Sequence, residues 1–290
     1  MRPRASQLAV PIAVFLVVLG VAGAPGARAD ENYFGYSYGS ETLPKGSWEL
    51  YNWITWRTSK GQGSYNALDL KQEIEYGITD RWQASLYLNE RYHNIDGLES
   101  PPDRDQFGFQ GVQVSTKYAF LSPYKDPFGF ALYAEPGYSR ISKGSGSLQD
   151  KWTMEFKGIF QKNFLDDQLI AVLNITPEFG VGKKKGEAHW ENELEFEVTS
   201  GLTYRVAPKW FVGLETRYAS NYEGFPAETD RSNWGFFVGP VVHFTTERWW
   251  ATVTALPQVG GAPNDGARSA ALNLNEYEKF ELRIKTGINF

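Results

Sequence analysis

The sequence predicts an all-β chain, an antiparallel up-and-down transmembrane barrel of about twelve strands. Three observations carry this. Apolar and polar residues alternate in long runs, the connections between runs alternate between short and long, and aromatic residues gather at the ends of the runs. A strand places successive side chains on opposite faces, and a membrane barrel turns the apolar face to lipid and the polar face to its lumen. A soluble sandwich also alternates, but it does not need runs of about 9–11 residues bordered by aromatics, as a bilayer does.

The first 29 residues stand apart. Arg2 and Arg4 precede an apolar run from about Leu8 to Gly23, and Ala27 and Ala29 place small residues at −3 and −1 of a cut before Asp30. This is the three-part pattern of a secretory signal peptide, so residues 1–29 are read as a leader. Residues 30–45 are then expected as an N-terminal periplasmic segment and residues 46–290 as the barrel. No later stretch offers the roughly 20 apolar residues of a transmembrane helix. The chain has no cysteine, which excludes a disulfide scaffold. A formal charge of −5 argues against a nucleic-acid partner.

The C-terminal run KFELRIKTGINF shows the alternation well. Phe280, Leu282, Ile284, Ile288 and Phe290 share one face. Lys279, Glu281, Arg283, Lys285 and Asn289 share the other. Earlier runs repeat the pattern: Trp48, Leu50, Ile54 and Trp56 against Glu49, Tyr51 and Thr55, and Trp82, Ala84, Leu86 and Leu88 against Gln83, Ser85, Asn89 and Arg91. Strands are expected at 46–57, 67–78, 82–92, 111–120, 128–138, 152–162, 169–179, 190–204, 210–218, 234–244, 249–256 and 276–290. Short connections fall at Thr79–Arg81, Leu121–Pro127, Asn163–Gln168, Arg205–Lys209 and Thr245–Arg248. The others are longer and rich in turn-forming residues, which gives short periplasmic turns and longer extracellular loops. Ten or fourteen strands also satisfy the even count. The segments EYGITDRWQASLYL, TYRVAPKWFVGLE and HFTTERWWATVTA repeat one hairpin plan. It sets Trp82, Trp210 and Trp249 or Trp250 at one membrane interface.

Two resemblances follow from these residues. The aromatic terminus Phe290 with Ile288 resembles the C-terminal signal by which outer-membrane proteins are recognised for barrel assembly. Gly287 lies nearer the end than the usual glycine. Pro44-Lys45-Gly46 before the first strand and Tyr76-Gly77-Ile78-Thr79-Asp80-Arg81 at the first tight turn resemble the opening of the MetA-type barrels, a family of outer-membrane transporters of phenol-degradation pathways. The resemblance implies a Gram-negative outer-membrane barrel with a transport role. It implies outer-membrane lipid and the assembly machinery as partners, and it carries no site residues.

The polar face supplies the candidate lumen lining: Glu73, Glu75, Glu135, Glu155, Lys157, Glu178, Glu191, Glu193, Glu195, Glu197, Glu215 and Arg217. Acids exceed bases, and charges in an interior must be hydrated or paired. Two readings remain open. One is a narrow passive channel for an unidentified small solute, cation-preferring because rings of carboxylates favour cations. The other is a structural or loop-binding barrel plugged by ion pairs. The run AHWENELEFE puts Glu191, Glu193, Glu195 and Glu197 on one face. Either basic neighbours such as Lys157 or a hard cation could answer them. An outer-membrane lipid-modifying enzyme is the rival class. It needs a nucleophile beside a base, and His93, His189 and His243 accompany no such motif. The sequence therefore predicts a non-enzyme without cofactor or bound metal.

Overall fold

The computed structural model describes residues 32–263 and 271–290. The expected leader at 1–29 lies outside the described residues. Twelve strands form: β1 (Trp48–Thr58), β2 (Ser64–Thr79), β3 (Trp82–Asp96), β4 (Arg104–Leu121), β5 (Gly129–Ile141), β6 (Leu148–Phe164), β7 (Leu169–Lys184), β8 (Glu191–Ala207), β9 (Trp210–Glu223), β10 (Asn233–Thr245), β11 (Trp249–Pro263) and β12 (Phe280–Asn289). Each pairs antiparallel with its sequence neighbours, and β1 pairs with β12 to close the barrel. At that seam Leu50 faces Ile288 and Ile54 faces Ile284. Closure matters because an open sheet edge would leave backbone N–H and C=O groups unpaired in lipid.

The alternation sorts as the sequence predicts. Leu86, Val114, Leu132, Leu173, Leu202, Leu214 and Val253 are exposed on the outer wall, while Glu49, Glu73, Ser85, Lys117, Glu215 and Lys285 are buried within. Trp48, Trp82, Tyr118, Tyr204, Trp210, Trp249 and Phe290 are exposed around the turn end, where an amphipathic ring suits the membrane interface. Trp250 is the exception to the repeat: it points inward, buried, and its Nε1 donates to Glu49. Among the pair left open by the sequence, Trp249 therefore takes the interface.

Most strands run further toward the loop end than expected. β4 begins at Arg104, β7 reaches Lys184 and β9 reaches Glu223. The outermost residues of these extensions, such as Arg104-Asp105-Gln106 and Lys183-Lys184, are polar on both faces and so lack the amphipathic signal. The long loops shrink accordingly, to residues 97–103 between β3 and β4 and 224–232 between β9 and β10.

The segment 30–45 requires a correction. Its described residues as far as Leu43 are not outside the barrel. They enter the barrel as a finger, and Asn32, Phe34, Ser37, Ser40 and Leu43 are buried there. The finger's two ends lie at the turn end. Thr252 Oγ1 donates to the Asn32 carbonyl at 2.7 Å, and Asp80 Oδ1 accepts the Lys45 N–H at 3.0 Å. Its tip, Tyr36, reaches across the lumen to Glu281 on β12. The physical reason is burial. Tyr33, Phe34, Tyr36 and Tyr38 bring apolar area that the periphery of the barrel could not cover.

Candidate functional site in the lumen

The wall places four carboxylates in one row. Glu135 on β5 stands directly opposite Glu155 on β6, Glu155 opposite Glu178 on β7, and Glu178 opposite Glu195 on β8. Like charges at such positions repel unless cations answer them. Three lysines do so. Lys71 Nζ lies 3.8 Å from Glu135, Lys157 lies 3.4 Å from Glu155, and Lys151 lies 3.1 Å from Glu195 and 4.0 Å from Glu178. Lys151 also pairs with Glu193. The ion pairs that answer the acidic run come from Lys151 and from Arg217, which pairs with Glu197, while Lys157 pairs with Glu155 and adds its charge near Glu197.

The other candidates sort by depth. Glu73 accepts the indole N–H of Trp53 at 3.0 Å. Glu75 is buried beside it on β2. Arg217 also holds Glu281 at 3.0 Å. Glu191 is exposed at the rim, where β8 begins, so it stands apart from Glu193, Glu195 and Glu197. A further cluster lies higher in the bore. Arg57 bridges Asp69 at 2.8 Å and Glu278, and Arg91 joins the same Asp69.

The finger rests on side chains that read its backbone. The Glu215 carboxylate accepts the N–H groups of Gly35, Tyr36 and Ser37 at 3.0, 2.8 and 2.6 Å. Gln161 accepts from Ser40 N–H at 2.8 Å, and Gln83 from Leu43 N–H at 2.8 Å. Asn174 both accepts from and donates to Tyr38. Every such bond spares a buried backbone group the cost of desolvation without a partner. The tyrosine rings meet cations. Arg283 lies 3.8 Å from the Tyr36 ring centroid and Lys157 lies 4.2 Å from that of Tyr38. Phe34 packs with Ile170, Val172, Phe211 and Val241. It fits because residue 201 is glycine: a Cβ there would stand 2.3 Å from the Phe34 ring. Gly77 likewise clears the finger's exit, since a Cβ would meet the Pro44 carbonyl oxygen at 2.1 Å.

Sequence reasoning put Gln83 on the polar face but named neither it nor Gln161 nor Asn174 as a site residue, because uncharged amides on a polar face carry no sign of their own. One signal was present. The segment NYFGYSYGS is too aromatic for a solvated linker and alternates with small residues that pass close to a wall.

Above the finger the lumen opens. A cavity of about 1320 Å³ lies at the loop end, and its lining includes Arg57, Lys151, Glu193, Glu195, Glu197, Arg217 and Glu281. Among the described residues, eight carboxylates and five cationic side chains line it. On the finger's side the space is nearly full: the second cavity, between Tyr38, Trp53, Glu73 and Tyr133, measures about 10 Å³. Two histidines also find partners. His93 Nε2 lies 3.0 Å from the Lys143 carbonyl, and His243 Nδ1 lies 2.7 Å from Thr252 Oγ1.

A family model described as "Family of unknown function (DUF6662)" matches residues 26–290. The chain belongs to that family. No curated protein matches the DUF6662 chain in sequence. Among solved structures, the COG4313 outer membrane channel from Pseudomonas putida F1 superposes with a TM-score of 0.61 at 14% identity, over 87% of this chain and 98% of that one. The NanC porin gives 0.47 at 12% identity, over 82% and 98%. The β domain of the Bordetella autotransporter BrkA gives 0.47 at 11%, over 84% and 98%. At such identities the likeness to the COG4313 channel concerns the fold. The DUF6662 chain has the architecture of a bacterial outer-membrane β-barrel.

Proposed function

We infer that this barrel sits in the outer membrane and is a narrow channel for small solutes, with an acid-rich mouth that favours cations and a bore closed at rest by its own N-terminal finger. The observation that supports it most is the meeting of the cavity with the finger. The cavity floor includes Arg217 and Glu281, and Glu281 accepts the Tyr36 hydroxyl at 2.7 Å. A solute entering from the loop end would stop there. Withdrawal of residues 32–43 toward the turn end would join the cavity to the other side. An excess of lining carboxylates raises local cation concentration and disfavours anions.

The test is single-channel recording on the refolded mature chain and on a variant lacking residues 32–43. The variant is expected to conduct steadily and the parent rarely or weakly. Equal, steady conductance in both would remove the finger as the closing element. Silence in both would favour the structural or loop-binding barrel, a reading supported by the many bonds that hold the finger in place.

A further inference from the structure

We propose that the outer wall of β5–β8, at the loop end, is a docking surface for the phosphate groups of a lipid in the outer leaflet. The inference rests on the outer-membrane placement above and is independent of conduction.

The lipid-facing wall is apolar almost throughout, so cations on it stand out. Lys183 continues the outward series Phe179 and Val181, both exposed, to the last turn of β7. Its Nζ lies 5.0 Å from the ring of Trp190 at the start of the next strand. Arg140 is exposed and sits at the register shift between Ser139 and Ile141, two residues beyond outward-facing Tyr138. Lys185 is exposed where the chain leaves β7, and its backbone N–H donates to the Leu148 carbonyl at 2.9 Å. Beneath Arg140 and Lys183 lie Tyr138 and Trp152, packed at a tilt of 49° with centroids 4.8 Å apart, and Trp190 lies beside Lys183. This is the level at which aromatic side chains mark the membrane interface.

None of the three cations forms an ion pair among the described residues. Two carboxylates are near. Asp150 faces Lys183 in the ladder, but its Oδ1 accepts the Tyr138 hydroxyl at 2.7 Å. Glu187 is exposed in the following loop. The balance on this wall stays positive in a chain whose overall charge is negative. Arg140 and Lys183 stand two strands apart, about 10 Å at ordinary strand spacing. Cations held at headgroup level, unpaired and above an apolar wall, match a ligand with an anionic head and acyl tails. A lipid bearing phosphate on its headgroup meets both requirements, with N–H donors on phosphate oxygens and chains along Trp152 and Phe179.

The test uses the intact barrel in zwitterionic detergent, titrated with diphosphoryl lipid A and with its dephosphorylated form, read by intrinsic tryptophan fluorescence. The parent is expected to prefer the phosphorylated lipid by at least ~10-fold, and the triple variant Arg140→Gln, Lys183→Gln, Lys185→Gln to lose most of that preference. The Lys183→Arg variant should keep it. Heat-modified gel mobility checks that each variant is a folded barrel. Equal binding of both lipids by the parent overturns the proposal, as does an undiminished preference in the folded triple variant. Competition by inorganic phosphate alone would show an anion site without lipid selectivity, and would overturn the lipid assignment.

Discussion

Asn174 holds Tyr38 as a neighbouring strand would. Its Oδ1 accepts the Tyr38 N–H at 2.6 Å, and its Nδ2 donates to the Tyr38 carbonyl at 3.0 Å. A single side chain thereby satisfies both backbone groups of a residue that belongs to no strand.

Replacing Asn174 by Ala leaves both of those groups unpaired in the lumen. The cost is expected at roughly 1–3 kcal/mol. The finger carries that loss, because the wall around Asn174 keeps its own ladder. Limited digestion with a protease that cuts after aromatic residues should therefore release finger peptides faster from Asn174→Ala than from the parent. Unchanged digestion would mean that the other anchors, among them Glu215, Gln161 and Gln83, secure the finger without Asn174.

Gly201 and Phe34 make a second test. Gly201→Ala puts a methyl group into the ring of Phe34 and should push the finger out of its seat. The double variant Gly201→Ala, Phe34→Ala should regain much of the lost stability, since the clash goes with the ring. A double-mutant cycle on chemical unfolding midpoints measures this. Additive losses would place the two residues out of contact.

The architecture was legible in the sequence because its cause is local. Lipid outside and polar contents inside impose period two on every membrane-spanning run, and the seam pair Ile54 and Ile284 obeys it like any interior pair. Lumen candidates such as Glu73, Glu178 and Arg217 followed from the same parity. The finger was not legible because its cause is long-range. Gly35 meets Glu215 and Thr254, partners 180 and 219 residues away, and no local period records such a meeting. The pairing of Lys151 with Glu193 and Glu195 was hidden for a similar reason, since it depends on the register of three strands.

The acidic wall should set ion preference once the finger is gone. In the variant lacking residues 32–43, Glu193→Gln with Glu195→Gln removes two carboxylates and leaves the Lys151 ammonium with Glu178. The reversal potential in a salt gradient should then shift from cation-selective toward non-selective. A potential that does not move would exclude this wall from selectivity.

The outer face should reject charge. Ile284 lies between Ile54 and Val253 on adjoining strands. Ile284→Arg near mid-membrane should cost roughly 2–4 kcal/mol in refolding into lipid vesicles. Parent-like refolding would show that residue 284 does not meet the hydrocarbon.

The finger also bears on how the molecule comes into being. It precedes β1, so it leaves the ribosome before any wall exists. Yet its anchors come from β3, β6, β7, β9, β11 and β12, the last of them Glu281, Arg283 and Lys285 on β12. Until that strand is in place the leading segment has no complete seat. Its aromatic residues must stay unclaimed through nearly the whole of synthesis and export, and only the joining of β12 to β1 encloses them. The part of the chain made first is thus the part whose native contacts are completed last.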